Sequence, residues 1–253
     1  MEWKGQPTSD NGMVSREFVV RAGGRVVPAV LWTPAGPALH RPLVLMGHGG
    51  SQHKTAPAMV ELAARLVRNH GFAAAAIDGP IQGARRGDGL SGIEVQAEFR
   101  AMWEKDHRID AMVADWRATL DALAVLDDVN QDAIGWYGVS MGTAYGLPLA
   151  AVDERIKVAL LGMWGTSFVN SERLAQDAPQ VRCPLLFQQK WDDQFFTREG
   201  QFDLFDRLGA REKWLKVYPG AHVAVAGEQL DDGENFLARR LKPLAGPAGR
   251  AAT

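Results

Sequence analysis

Three short stretches hold the side chains best suited to covalent chemistry. Residues 135–142 read GWYGVSMG and set Ser140 between two glycines, straight after a short apolar run. Serine packs poorly in cores and glycine weakens strands and helices alike, so the stretch is either an ordinary turn or a backbone forced tight to expose one hydroxyl. A serine hydroxyl is a weak nucleophile unless a base takes its proton and a further group orients that base. Downstream, PLLFQQKWDDQ supplies Asp192 and Asp193, and WLKVYPGAHVAV supplies His222. Both follow strand-like runs. The order is therefore serine, acid, histidine, with 53 residues (193 − 140) and then 29 (222 − 193) between them. Such a set can carry out acyl transfer through Ser140.

The elements needed to present these residues are legible in the surrounding chain. Gly138-Val139-Ser140-Met141-Gly142 matches G-x-S-x-G, after the strand-like AIGWYG and before a helical segment at 141–151. In that context the glycines let neighbouring backbone pass close by, and the helix N-terminus offers free N–H groups to a developing oxyanion. Gly146 and Pro148 are expected to kink or shorten the helix. Residues 15–36 offer two β-rich runs around Gly23-Gly24, a hairpin signal. PLVLMG at 42–47 and GFAAAAID at 71–78 are continuous apolar runs, as expected of strands buried on both faces. Between them, Met59, Leu62, Ala63, Leu66 and Val67 recur at helical spacing over 58–69. Strand, helix, strand in this rhythm implies a parallel sheet with right-handed crossovers.

The segment 79–106 interrupts the rhythm with a loop and then a helix at 93–105, carrying Val95, Phe99, Met102 and Trp103. This helix either forms a small lid or lengthens the core. A second helix at 107–126 is the crossover candidate. Later strands are expected at 156–165, 183–190 and 212–220, a loop or short helix at 166–182, helices at 198–209 and 231–242, and a frayed tail at about 243–253. No repeat or linker divides the chain, so 1–253 reads as one domain.

The 253 residues carry a net charge of −2, with 46% apolar and 23% charged residues. That balance argues against nucleic acid as the main partner, and no apolar run reaches the roughly 18 residues of a membrane span. The opening MEWKGQPTSDNG has no apolar core of a signal peptide, and the single cysteine, Cys183, excludes an internal disulfide or a cysteine-based metal cluster. A cytoplasmic protein with a small-molecule partner is expected.

Over residues about 16–242 the chain resembles an α/β-hydrolase, and its compact size is similar to that of dienelactone-hydrolase-like and serine esterase members. The resemblance implies a mostly parallel central sheet with helices on both faces and an N-terminal antiparallel hairpin. It makes Ser140 the nucleophile and His222 the general base. Asp193 is the acid, because DQFFT resembles the family's D-x-V-x-P stretch, with Asp192 as the alternative. MGHGG at 46–50 resembles the oxyanion segment, placing one donor at Met141 N–H and the other at Gly50 or Ser51, with His48 structural. Dienelactone hydrolases proper carry cysteine at the elbow, where this chain has Ser140. The chemistry implied is hydrolysis of a small or medium, partly apolar carboxylic ester through an acyl-enzyme, needing no metal or organic cofactor. Amide, lactone or carbon–carbon hydrolysis or perhydrolysis on the same triad is the alternative, and a non-catalytic binding protein is a third reading. Trp103, Trp164 and Trp191 fall toward the C-terminal edge of the sheet, where ligands bind in such folds, and are candidate pocket residues. His53 could border the pocket, and Arg85, with Arg86, could hold a substrate carboxylate.

Overall fold

A computed structural model describes residues 1–241. The stretch read as a frayed tail at 243–253 lies outside the described residues. Nine strands form one sheet in the order β1-β2-β3-β5-β4-β6-β7-β8-β9. β1 (Glu2–Asp10), β2 (Met13–Ala22) and β3 (Arg25–Pro34) are antiparallel, and β3 also runs antiparallel to β5 (Ala73–Ile77). From β5 onward the strands are parallel: β4 (Arg41–Gly47), β6 (Val129–Gly138), β7 (Ile156–Gly162), β8 (Leu185–Lys190) and β9 (Lys213–Tyr218).

The continuous apolar runs are buried on both faces, as expected. In β4, Leu43 and Leu45 join one core cluster while Val44 and Met46 join the other. One face is covered by α1 (Pro57–His70) and α7 (Glu228–Leu241), the other by α3 (Ile109–Ala124), α4 (Met141–Val152), α5 (Glu172–Asp177) and α6 (Arg198–Arg207). Pro57 opens α1 and Gly71 ends it at φ +70°, a conformation glycine adopts without strain.

Two local expectations differ from what is found. β1 does not stand out in the sequence because it is a polar edge strand, exposed along nearly its whole length. Its hairpin turn, Asn11-Gly12 at φ +44° and +78°, is the strongest short hairpin signal and sits within the stretch read only as polar. α4 is not shortened by Gly146 and Pro148. Gly146 instead makes room for Trp136, whose indole fills the space that a Cβ would need.

α2 (Ile93–Trp103) lies between the two readings given to it. Phe99 and Trp103 enter the core cluster, whereas Gln96 and Arg100 face clefts at the sheet's C-terminal edge. α3 is the crossover helix. It buries a carboxylate, Asp115, that accepts from Arg25 at 2.7 Å and from Arg85 at 2.7 Å, tying the β2–β3 turn and the loop after β5 to one helix.

An acid that is only 1% exposed and holds two guanidinium groups is costly to remove, because both cations lose their partner. We expect Asp115→Ala to lower unfolding free energy by about 3 kcal/mol in urea titration. Asp10→Ala, at an exposed pair with Arg68, should leave the midpoint near wild type.

Candidate active site

Ser140 links the end of β6 to the start of α4 at φ +57° and ψ −124°. No ordinary L-residue rests there unless its surroundings insist. The constraint comes from Gly162 at the end of β7. Its carbonyl accepts from Ser140 N–H at 2.9 Å and from Thr143 Oγ1 at 2.6 Å, while its own N–H donates back to Thr143 Oγ1 at 2.7 Å. The motif glycines are explained by close approach. A Cβ on Gly142 would lie 2.5 Å from the Gly47 carbonyl oxygen, and one on Gly138 would lie 2.9 Å from Gly142.

The three residues far apart in sequence meet here. His222 Nε2 is 2.9 Å from Ser140 Oγ, and its Nδ1 is 2.8 Å from Asp193 Oδ2. A carboxylate can only accept, so Nδ1 carries the hydrogen and Nε2 is left to accept from the serine hydroxyl. Asp193 Oδ1 accepts from the backbone N–H groups of Phe195 (2.9 Å) and Phe196 (3.0 Å), and their rings flank the imidazole. Gln194 Oε1 accepts the backbone N–H of His222 at 2.8 Å. The two loops are also joined backbone to backbone, Trp191 N–H to Tyr218 O at 2.8 Å and Asp192 N–H to Gly220 O at 3.1 Å. Asp192 turns outward, 61% exposed and 3.8 Å from Arg198, and it is Asp193 that bonds to His222.

The segment after β4 supplies the opposite wall. Gly50 and Ser51 line the same cleft as Ser140 and His222, and Gln82 Nε2 donates to Gly50 O at 3.2 Å. The N–H groups of Met141, Gly50 and Ser51 have no protein acceptor among the described residues. His48 is buried, with Nδ1 2.8 Å from Gly49 O and Nε2 accepting from Gly79 N–H at 2.9 Å. Burial pushes its pKa down to about 4, so it is a neutral brace between two loops.

A model of the dienelactone hydrolase family matches residues 27–240. The chain belongs to the dienelactone hydrolase family. It is also similar to a cold-adapted esterase from an Arctic intertidal metagenomic library. The PEG-bound form of that enzyme is 38% identical with a TM-score of 0.84, covering 96% of this chain and 100% of that one. Its native form gives 37% and 0.80 over the same shares. An acetyl xylan esterase from Paenibacillus sp. R4 shares the fold, with 17% identity and a TM-score of 0.72 over 94% of this chain and 89% of that one. A search of curated proteins finds no match.

Two openings flank Ser140 and His222 in this dienelactone hydrolase family member. The wider, a cavity of about 190 Å³, runs along residues 47–52 and 222–225, with Gln96 on one side and Met59, Met163 and Leu230 at its base. The narrower, about 10 Å³, is an aromatic niche of Phe99, Trp164, Phe168, Phe195 and Phe196. Arg100 borders it, its guanidinium 3.5 Å from the centre of the Phe195 ring.

Of the five residues expected to line a pocket, only Trp164 lines either opening. Trp103 is buried behind Trp164, 4.8 Å between ring centres, with its Nε1 donating to Val169 O. Trp191 is half exposed and stacks with Arg198. Arg85 is held by Asp115 and the Asp78 carbonyl, and Arg86 by Asp88 and Glu98. His53 Nδ1 is occupied by Thr55. His53, Arg85 and Trp191 follow strands and Trp103 ends α2; in each case the place in the chain fixes a residue's position along the sheet, not the direction of its side chain. Gln96, Phe99 and Arg100 were missed, although Gln96, Phe99, Arg100 and Trp103 recur at i, i+3, i+4 and i+7, one stripe of a helix. Among the described residues no three histidine, cysteine or acidic side chains converge as metal ligands, and no helix is long and apolar enough to cross a membrane.

The depressed pKa of His48 has a stability consequence. Between its ordinary value of 6.5 and about 4, the unfolded chain binds a proton that the folded chain refuses. Stability from this group is therefore complete above pH 6.5 and falls as the pH drops toward 4, by about 3 kcal/mol. We expect urea midpoints for wild type to fall steeply across that window and His48→Gln to flatten this part of the curve.

Proposed function

We propose that this chain is a serine hydrolase cleaving carboxylic esters of small or medium, partly apolar substrates through an acyl-enzyme. The observation that carries the proposal is the unbroken line of hydrogen bonds from Asp193 through His222 to a serine held in a strained elbow. Ser140 Oγ attacks the ester carbonyl as His222 Nε2 takes its proton. Asp193 keeps the imidazole in the productive tautomer and stabilises the imidazolium. The tetrahedral oxyanion is received by Met141 N–H at the head of α4 and by Gly50 N–H, with Ser51 beside it as the other candidate donor.

Collapse breaks the ester bond, and His222 gives its proton to the departing alkoxide. Ser140 is then left as an acyl ester. Water entering beside His222 loses a proton to Nε2, attacks the same carbonyl and frees the carboxylic acid, restoring the serine. Every proton moves through one imidazole, and no metal or organic cofactor takes part. The likeness to the Arctic esterase over nearly the whole length of both chains supports this reading.

Labelling with a fluorophosphonate, combined with turnover of matched esters, amides and lactones, tests it. We expect wild type to be labelled and to favour esters, and Ser140→Ala to lose labelling and about 10⁴-fold or more in kcat. Labelling that persists in Ser140→Ala refutes the nucleophile. Preference for amides or lactones transfers the proposal to that chemistry, and a wild type that neither labels nor turns over is a binding protein. Asp193→Asn should lower kcat by about 10³–10⁴-fold, whereas Asp192→Asn should stay within about threefold.

A further inference from the structure

The two openings beside Ser140 differ in size and lining, and an acyl-enzyme treats the two halves of its substrate differently. The acyl half stays bound through both steps. The alcohol half must leave, and water must then enter where it stood. A niche of about 10 Å³, the room of roughly one water molecule, cannot release an alcohol and admit water in turn. The cleft of about 190 Å³, running along the loop that carries His222, can do both.

We infer that the aromatic niche is the acyl site and accepts groups of about acetyl size, while the wide cleft holds a larger, uncharged, hydrogen-bonding alcohol. This rests on the reading of Ser140 as an ester-cleaving nucleophile. The niche is walled by rings that brace one another: Trp164 and Phe168 are 5.0 Å apart between centres, Trp164 and Phe196 4.7 Å, and Phe168 and Phe196 5.0 Å. Close-packed rings of this kind resist displacement by an incoming chain. Arg100 adds a second barrier. Its guanidinium lies over Phe195, and the charge of Asp193, itself paired with His222, acts on it without forming an ion pair. An alkyl chain growing past the niche has to bury itself against a cation without gaining a counter-charge.

The cleft has the complementary chemistry. Ser51 and Gln52 offer hydroxyl and amide groups above an apolar base, Gln96 stands where the cleft meets the niche, and no Asp, Glu, Lys or Arg lines the cleft. An alcohol with several hydroxyl or ether oxygens and an apolar side satisfies both surfaces. A carboxylate or ammonium there finds no opposite charge.

Two ester series test the assignment. With 4-nitrophenyl acetate, butyrate, hexanoate and octanoate, we expect kcat/KM to fall at least about tenfold from acetate to hexanoate. Phe168→Ala, in a partly buried loop residue, should raise the hexanoate-to-acetate ratio at least about tenfold. Arg100→Ala should raise the same ratio and provides a second reading should the first variant fold poorly. With acetate esters of ethanol, glycerol and a methyl glycoside, we expect the bulkier hydroxylated alcohols to be accepted, and Gln52→Ala, at a residue that lines the cleft and not the niche, to raise KM for them more than for ethyl acetate. A flat acyl profile in wild type overturns the inference. So does Phe168→Ala changing tolerance for the alcohol in place of the acyl group. In both cases esters are still hydrolysed, so the hydrolase reading survives. No turnover of any ester, with no fluorophosphonate labelling, overturns the two together.

Discussion

The carbonyl oxygen of Gly162 accepts from the backbone N–H of Ser140 and from the hydroxyl of Thr143, and the Gly162 N–H closes the circuit back to that hydroxyl. A serine at φ +57° and ψ −124° carries strain of order 1–3 kcal/mol. Three hydrogen bonds at about 1 kcal/mol each offset it, so the elbow is held without drawing on the distant core. The arrangement propagates outward. Gly162 has no room for a Cβ because the backbone of Gln188 in β8 occupies the space, and β8 leads directly to Asp193. The end of β7 thus holds the nucleophile on one side and the strand of the acid on the other.

The loops at the C-terminal edge of the sheet are held largely by buried polar groups. His48 joins the segment after β4 to the one after β5. Asp78, wholly buried, accepts from Lys54 N–H at 2.9 Å, Lys54 Nζ at 3.1 Å and Ala84 N–H at 2.9 Å, so one carboxylate fixes both loops. Gln82 reaches from the second loop to the Gly50 carbonyl. Apolar contacts would hold these segments with comparable energy but without direction. Hydrogen bonds to a buried acceptor fix orientation, which an oxyanion site built of backbone N–H groups needs.

Much of this architecture is written in the sequence because it depends on local requirements. Strands buried on two faces must be continuously apolar, and the elbow must be glycine on both flanks. The order of Ser140, Asp193 and His222 follows from the order of strands. Other features depend on relations that no local pattern encodes. β1 carries no alternation, since every residue but Trp3, which packs on Phe18, is exposed, and only Asn11-Gly12 marks it. Arg85 looks free in sequence because its acid, Asp115, lies on α3 further along the chain, whereas Arg86 pairs with its near neighbour Asp88 as well as with Glu98 on α2. Gln96 and Arg100 gained meaning only from the face they share with Phe99, once that face was seen to meet Ser140.

The backbone hydrogen bonds from Trp191 to Tyr218 and from Asp192 to Gly220 continue the β8–β9 ladder past the strands themselves. The acid and the histidine therefore ride on one extended ribbon. Within a lineage, inserting or deleting a single residue in either turn would slide one member against the other and part the imidazole from the carboxylate. The two turns are bound to keep matched lengths as sequences drift. The segment between β7 and β8 carries neither group, so variation in length can accumulate there, reshaping the niche through Phe168 while the ribbon stays fixed.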